Sequence, residues 1–238
     1  VYEQKNISMG SDGSKEYAAL WKLLAPTHPY GTQTTIGEQE HLKNPSIVNI
    51  KNYFHRYYVP NNVAIVLAGD FNPDAVIAII DQYFGSWKPS KQLTRPEFEV
   101  QKPITSPRDT TVIGLDAENL MMAWRFKGAN QLQNDTLDIV NRMLSNGKAG
   151  LLDININQPM KAMETGTYLD ELHDYSMLLI EGVPLQNQKL DDLKALILAE
   201  TTKLGRGEFS DDLLPAVLAN KKLQFYKSLD SNQKRVSM

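Results

Sequence analysis

An apolar run from Val63 to Ala68 is the feature that most constrains the fold of this chain. Gly69 and Asp70 follow the run, and a helix-like pattern begins at Pro73. This order of strand, turn and helix is also the outline of a nucleotide-binding βα unit. A phosphate loop needs several glycines at the helix start, but this turn has one glycine and neither a G-x-G-x-x-G nor a G-K-S/T pattern. The proline removes an N–H and the acidic residue repels anions, so the run predicts a connection within a packed α+β unit.

Further helical and strand patterns follow along the chain. In "NPSIVNIKNYFHRYY", Asn44 is the expected cap and Pro45 the first helical residue, with Ile47, Ile50 and Phe54 on one face. Asn72 is the expected cap of the helix that begins at Pro73. Pro215 has to lie in the first turns of a late helix. The predicted strands are Val63–Ala68, Thr110–Leu115, Leu120–Phe126, Thr165–Leu172 and Met177–Val183.

The order of these elements indicates an α+β protein with two similar units. Each unit is expected to contain a mixed or antiparallel sheet with helices packed on one face. A stretch with four prolines and many charges separates the two units, and we expect it to be an extended connection. The predicted boundaries are residues 1–88 for the C-terminal part of the first unit, 89–108 for the linker and 109–238 for the second unit.

Charge and composition argue against several classes of partner. The net charge is -3, whereas a nucleic-acid-binding surface needs clustered excess Lys and Arg. The chain has no cysteine, which excludes disulfides and thiolate metal sites. No apolar stretch reaches the roughly 20 residues that a membrane helix needs. We therefore expect neither a nucleic-acid nor a membrane partner. Both ends of the sequence suggest a piece of a larger protein, so the compartment stays open.

Two long motif strings resemble the insulinase/pitrilysin family of zinc metallopeptidases. "HPYGTQTTIGEQEHLKN" is followed by "IKNYFHRYYVPNNVAIVLAGDFNPDAVIAIIDQYFGSW", with H-P-Y-G, T-I-G, Y-Y, P-N-N and G-D in the order of the family. "LLIEGVPLQNQKLDDLKALILAETTKLGRGEFSDDLLPAVLANKKLQFYKSL" is similar to the family's second homologous unit. The resemblance covers nearly the whole chain. It implies the C-terminal part of a first insulinase-like unit and a second unit that is truncated at its C-terminus. The implied parent encloses peptides in a chamber and pairs them as an added strand.

Peptide hydrolysis by zinc needs about three protein ligands, an open position for water and a general base. The family supplies two histidine ligands and the glutamate base from one H-x-x-E-H helix. The histidines of this chain include no pair four positions apart, so the motif is absent; they are His28, His41, His55 and His173. The chain therefore contains no predicted catalytic residue, and the isolated chain is expected to be inactive.

The remaining zinc ligand of the family is a glutamate upstream of the H-P-Y-G segment. The resemblance of "VYEQKNISM" to that part of the family assigns this metal-binding role to Glu3. Considered alone, a glutamate so near the start of a sequence is more often simply solvated. His28 in "THPYG" is better explained by a turn than by a metal. The sequence identifies no substrate-binding residue.

The second unit departs from the family in one segment. Family members carry an R-x-K-x-G-L-A-Y-like pattern there, and such residues help to line the substrate chamber. This chain reads "LSNGKAGLLDININQPMKAMETGTYLDEL", which keeps Gly147 and Gly150 but not the basic and aromatic pattern. The role of this segment is therefore left open.

The sequence predicts a fragment of a zinc-dependent metalloendopeptidase, with zinc bound in the intact parent. The expected partners are peptide substrates and either the remainder of the parent chain or a homologous subunit. The alternative is a non-catalytic structural or substrate-holding insulinase-like subunit that partners an active homologue. A small-molecule-binding α+β module has no supporting motif.

Overall fold

A computed structural model describes residues 1–129 and 132–237, and the chain divides into two compact units. Unit 1 comprises Val1–Tyr2, Thr35–Val100 and Leu223–Met238, and unit 2 comprises Glu3–Thr34 and Gln101–Lys222. The predicted domain boundaries follow the order of motifs along the chain and stay a prediction. Residue 238, where the second predicted unit ends, lies outside the described residues, as do residues 130 and 131.

Helices and strands follow each other along the chain in the order that the α+β class predicts. The helices are α1 (Tyr2–Gly10), α2 (Asp12–Leu24), α3 (Pro29–Thr32), α4 (Gln39–Lys43), α5 (Ile47–Tyr57), α6 (Pro73–Phe84), α7 (Leu132–Leu144), α8 (Leu190–Arg206), α9 (Leu213–Ser228) and α10 (Asn232–Arg235). The strands are β1 (Leu120–Lys127), β2 (Glu164–Glu171) and β3 (Tyr175–Val183). A 3₁₀ turn spans Pro60–Asn62 and a π-helical turn spans Asp153–Asn157. Within the described ranges, no helix is long and apolar enough to cross a membrane.

Unit 2 is built on an antiparallel sheet with the strand order β1-β3-β2. The central strand β3 is covered on both faces, because successive side chains of a strand point to opposite sides. Ile180 packs with Leu193 and Ile197 of α8, while Met177 packs with Trp21 and other residues of α2 on the opposite face. The predicted α+β class is confirmed, and α2 adds a covering helix on the second face of the sheet.

Three of the five predicted strands are present, and each is shifted by no more than two residues. The other two, Val63–Ala68 and Thr110–Leu115, are not strands here. A strand needs a neighbour that accepts and donates its backbone hydrogen bonds, and the part of the chain that the structure describes offers none to these segments.

Helix caps agree with the sequence at α6 and differ at α5. The Asn72 side chain accepts a hydrogen bond from the Ala75 N–H at 3.1 Å, as predicted. The predicted Asn44 cap of α5 is wrong, because Asn44 ends the short helix α4 and Ser46 takes the capping position instead. Pro215 lies in the first turn of α9, where the sequence places it.

Unit 1 has almost no apolar core. Among its described residues only Val59 is buried. Polar contacts hold the P-N-N turn instead: Asn61 and Ser90 exchange two hydrogen bonds of 3.0 Å, and Asn62 accepts one from Arg95 at 2.9 Å. The local structure of this unit is therefore held by turns and caps, while its helices and its apolar run stay uncovered.

Candidate functional site

Glu3, the predicted metal ligand, lies in the first turn of α1 and is exposed. Its carboxylate makes no hydrogen bond or ion pair with the described residues. Two positions along the helix, Lys5 is buried and its Nζ donates to Thr34 Oγ1 at 3.1 Å. Residues two apart lie on different sides of a helix, so the Lys5 contact holds α1 in place while Glu3 stays accessible.

The residues that the structure describes do not form a complete zinc site, and the ligand role of Glu3 stays a prediction. Within residues 1–129 and 132–237, no group of three or more His, Cys, Asp or Glu side chains is close enough to hold a metal ion. Catalytic zinc needs about three protein ligands and an oriented base. An accessible and unpaired carboxylate such as that of Glu3 has the right chemistry for one ligand, and the others would have to come from elsewhere.

His28 caps a turn. Its Nδ1 accepts a hydrogen bond from the Tyr30 N–H at 3.3 Å and thereby caps α3. The other ring nitrogen, Nε2, lies 3.2 Å from Asp174 Oδ2. The ring is buried and stacks edge-on against Tyr30 and Tyr175. These contacts agree with the interpretation of His28 as a turn residue.

The rest of the H-P-Y-G motif serves the same packing role. The Tyr30 hydroxyl accepts from the Asp174 N–H at 3.1 Å, which connects α3 to the turn between β2 and β3. A Cβ on Gly31 would lie 2.2 Å from the Ala25 carbonyl oxygen, so the close approach of two backbone segments requires glycine. The motif therefore fixes the fold of unit 2 around α2 and α3.

Asp153 organises the glycine-containing loop after α7. Its carboxylate accepts hydrogen bonds from the Ser145 hydroxyl at 2.9 Å and from the N–H groups of Asn146 (2.9 Å), Lys148 (3.1 Å) and Gly150 (3.0 Å). Asp153 is itself buried. A buried carboxylate with four donors holds a loop in one conformation, because each donor would otherwise lack a partner.

The backbone conformation of this loop requires glycine at two positions. Gly147 has a φ of 78°, which side chains disfavour, and a Cβ on Gly150 would lie 2.5 Å from the Leu144 carbonyl oxygen. The sequence analysis noted both glycines but missed Asp153. The available signal was an isolated aspartate in the otherwise apolar stretch "GLLDI", where a charged group needs partners.

Within the departing segment, the stretch "PMKAMETGTY" (residues 159–168), which lacks the family's basic and aromatic pattern, forms the turn before β2 and the first part of that strand. Met160, Met163 and Tyr168 are exposed there, by 73%, 70% and 58%. At the same end of the sheet, the carboxylates of Glu164 and Glu181 border a shallow depression. This surface is open to a ligand, but its geometry selects no particular chemistry.

The chain has an α+β fold, and the residues that the structure describes bring no three metal-ligating side chains together. A comparison with known proteins identifies the family of the chain. Residues 47–221 match the family described as the Peptidase M16 inactive domain. The chain therefore belongs to the M16 peptidase family, and the insulinase-like resemblance seen in the sequence is confirmed.

Two curated relatives are named as zinc proteases. The chain is 25% identical over 209 residues to the zinc protease PqqE of Helicobacter pylori, covering 86% of this chain and 47% of that protein. It is 26% identical over 237 residues to the uncharacterized zinc protease YmxG of Bacillus subtilis, covering 96% of this chain and 54% of that protein. The chain thus spans about half the length of the curated relatives it matches.

Solved structures share the fold. A protease from Helicobacter pylori superposes with a TM-score of 0.82 at 22% identity, covering 99% of this chain and 58% of that chain. An M16-like peptidase described as putative, from Alicyclobacillus acidocaldarius, gives a TM-score of 0.73 at 15% identity, covering 99% of this chain and 56% of that one. At these identities the likeness establishes the fold alone.

Proposed function

We propose that this chain is part of a zinc-dependent metalloendopeptidase and supplies its non-catalytic portion together with one zinc ligand. The observation that carries the proposal is the match of residues 47–221 to the inactive domain of a family whose two curated relatives are named zinc proteases. The incomplete set of metal ligands within the described ranges supports it. The isolated chain is then catalytically incomplete.

In this proposal Glu3 holds zinc in the intact parent. Zinc supplies Lewis-acid activation of water and of the peptide carbonyl when it is bound. Glu3 is accessible on α1, and the buried Lys5 keeps that helix in a fixed orientation. The remaining ligands and the general base come from residues outside this chain. Peptide substrates are enclosed between this portion and the remainder of the parent or a homologous subunit, and pair as an added strand.

The second candidate is a non-catalytic insulinase-like subunit that holds substrate or supports an active homologue. The description of the matched family as an inactive domain favours it. The two candidates differ in what lies beyond this chain: the peptidase requires an H-x-x-E-H helix in the same polypeptide, and the supporting subunit lacks one.

The role of Glu3 is tested in the intact polypeptide with Glu3→Gln. The amide keeps the size of the side chain and removes its charge, so zinc affinity should fall by more than the roughly 10- to 100-fold that loss of an outer partner causes. Zinc affinity is measured by competition with a chelator, and folding by circular dichroism. Glu118→Gln is the matched control, because Glu118 is also exposed and makes no described contact.

Unchanged zinc affinity and an unchanged peptidase rate in Glu3→Gln would contradict the assignment. An equal loss in Glu118→Gln would show a general charge effect. A parent that binds no zinc at all would favour the supporting subunit, with Glu3 as a solvated residue.

A further inference from the structure

One Asn–Gly pair occurs in the sequence, at Asn146 and Gly147, in the loop that Asp153 organises. Both residues are exposed. A bond from the backbone nitrogen of a glycine to the side-chain amide carbon of the preceding asparagine closes a small ring, and proximity strongly favours such an intramolecular attack. Glycine has no Cβ that would hinder the approach. The pair therefore has the covalent arrangement that deamidation requires.

The side-chain amide of Asn146 is polarised by the loop around it. Its Oδ1 accepts hydrogen bonds from the N–H groups of Lys148 at 3.2 Å and Ala149 at 3.0 Å, and its Nδ2 donates to the Arg142 carbonyl oxygen at 3.0 Å. Two N–H groups directed at a carbonyl oxygen stabilise the negative charge that this oxygen acquires when a nucleophile attacks the carbon. The same hydrogen bonds hold the amide in one orientation. The loop therefore favours attack at Cγ of Asn146.

The backbone nitrogen of Gly147 is the nucleophile that this loop leaves open. The N–H groups of Asn146, Lys148 and Gly150 all donate to the carboxylate of Asp153, whose negative charge opposes loss of their protons. The Gly147 N–H has no hydrogen-bond acceptor among the residues that the structure describes. Since Gly147 is also exposed, solvent hydroxide reaches its proton.

We propose that Asn146 is a modification site at which the chain deamidates without an enzyme, with water as the co-reactant. The Gly147 nitrogen gives its proton to hydroxide and forms a bond to Cγ of Asn146. The bond from Cγ to Nδ2 then breaks, and the nitrogen takes up a proton and leaves as ammonia. Water opens the resulting succinimide at either carbonyl, which gives aspartate or isoaspartate. The net reaction consumes one water, releases one ammonia and needs neither oxidant nor reductant.

The products disturb the loop that Asp153 holds. The Asn146 N–H donates to the buried Asp153 carboxylate at 2.9 Å, so a second carboxylate at position 146 places two like charges close together. Isoaspartate also adds a methylene to the main chain, which moves the N–H groups of Lys148 and Gly150 away from their acceptor. Deamidation should therefore release this loop. The inference goes beyond the proposed function and does not depend on zinc.

The test follows the ageing of folded Val1–Met238 in neutral and in mildly alkaline buffer. Peptide mapping by mass spectrometry detects the mass increase at Asn146, and enzymatic methylation identifies isoaspartate. Asn220 is the internal control, because it is also exposed but precedes Lys221 on α9. We expect Asn146 to react at least about tenfold faster than Asn220, since two donors stabilise the charge at its Oδ1. The rate at Asn146 should rise in the alkaline buffer.

Variants separate the reaction from its consequence. Asn146→Gln should abolish the mass increase at this position, because its longer side chain closes a larger ring. Asn146→Asp makes one product directly, and Asn220→Asp is its control. Hydrogen exchange at Lys148 and Gly150 should be at least about tenfold faster in Asn146→Asp and in the aged natural chain, and unchanged in Asn220→Asp. Unaltered exchange in β3 shows that each protein stays folded.

Three results would overturn the inference. Asn146 could stay intact in the folded chain while it deamidates in urea, which would mean that the loop protects the amide. Equal rates at Asn146 and Asn220 would show that the loop does not favour the reaction. Unchanged exchange at Lys148 and Gly150 in the aged, deamidated chain would contradict the release of the loop. Peptidase activity of the parent enters none of these measurements, so their outcome is independent of the proposed function.

Discussion

Tyr17 is the residue whose titration reports most directly on the packing of α2 against the sheet. Burial of its ring, followed by its hydrogen bond to Asp170, raises the pKa of Tyr17 to about 12. Both causes favour the neutral phenol. A pKa raised above the value in the unfolded chain stabilises the fold fully below about pH 10, and this contribution is lost as the pH rises through about 12.

An absorbance titration at the phenolate band tests this prediction. The difference between the natural chain and Tyr17→Phe isolates one phenol, which should ionise near pH 12. Asp170→Asn should lower that pKa without restoring an ordinary value, because burial remains the larger cause. A difference curve centred near pH 10 in the folded protein would contradict the packing of α2 described above.

Gly31 tests whether H-P-Y-G is a packing motif. A Cβ at this position would approach the Ala25 carbonyl oxygen to 2.2 Å and the Trp21 carbonyl oxygen to 2.7 Å. Gly31→Ala should therefore lower the free energy of unfolding by about 1–3 kcal/mol. Gly205→Ala is the control, since a Cβ in that part of α8 meets no atom within 4 Å and should add roughly 0.5–1 kcal/mol.

Urea unfolding measures both variants. Equal stability of Gly31→Ala and the natural chain would mean that the turn around α3 shifts freely. The motif would then need a functional explanation beyond packing.

At the scale of elements, Asp153 is expected to hold the loop between α7 and the π-helical turn. Asp153→Ala removes the acceptor of four hydrogen bonds, three of them from backbone N–H groups. Because buried donors are left without partners, the free energy of unfolding should fall by at least about 2 kcal/mol. Exchange of the Asn146, Lys148 and Gly150 amides should accelerate. Asp109→Ala, at an exposed site without described contacts, should change neither quantity.

Loss of stability without faster exchange of these amides would contradict the organising role of Asp153. Asp153→Asn is informative as well. The single side-chain oxygen of asparagine can still accept hydrogen bonds from part of the loop. The free energy of unfolding of Asp153→Asn should therefore lie between those of the natural chain and Asp153→Ala.

Elements could be predicted from the sequence where their partners lie within the chain. Asn72 and Pro73 start α6 through local hydrogen bonds, and the sheet strands β1 and β3 pair with each other. The prediction failed for residues 63–68 and 110–115, which have the composition of strands but no neighbour here. A ladder is a non-local property that composition does not contain.

The prediction of the residue that caps α5 failed for a different reason. Both Asn44 and Ser46 are good capping residues, and the choice between them depends on where the preceding helix ends. For the candidate site, the motif strings predicted Glu3 as a zinc ligand, which stays a prediction, and they contain no H-x-x-E-H. The contacts of Asp153 and Asp170 could not be predicted, because their partners lie in backbone groups and in α2.

At the scale of the whole molecule, the two units differ in how much of their structure is complete. Unit 2 has apolar clusters on both sides of its sheet, whereas unit 1 buries only Val59 among its described residues. The family match extends across parts of both, from residue 47 to residue 221. One unit with a packed core, one unit with little buried apolar surface and a single candidate zinc ligand are the features on which the proposed function depends.

The most direct test of this conclusion is a peptidase assay of purified Val1–Met238, with added zinc and with a chelator. The substrate is a mixture of fluorogenic peptides, because no specificity residue is assigned. We predict no chelator-sensitive cleavage above the rate of a Glu3→Gln preparation, since one carboxylate cannot hold catalytic zinc and the described residues bring no three possible ligands together. Robust cleavage that zinc supports and the chelator abolishes would contradict the claim that this chain is catalytically incomplete.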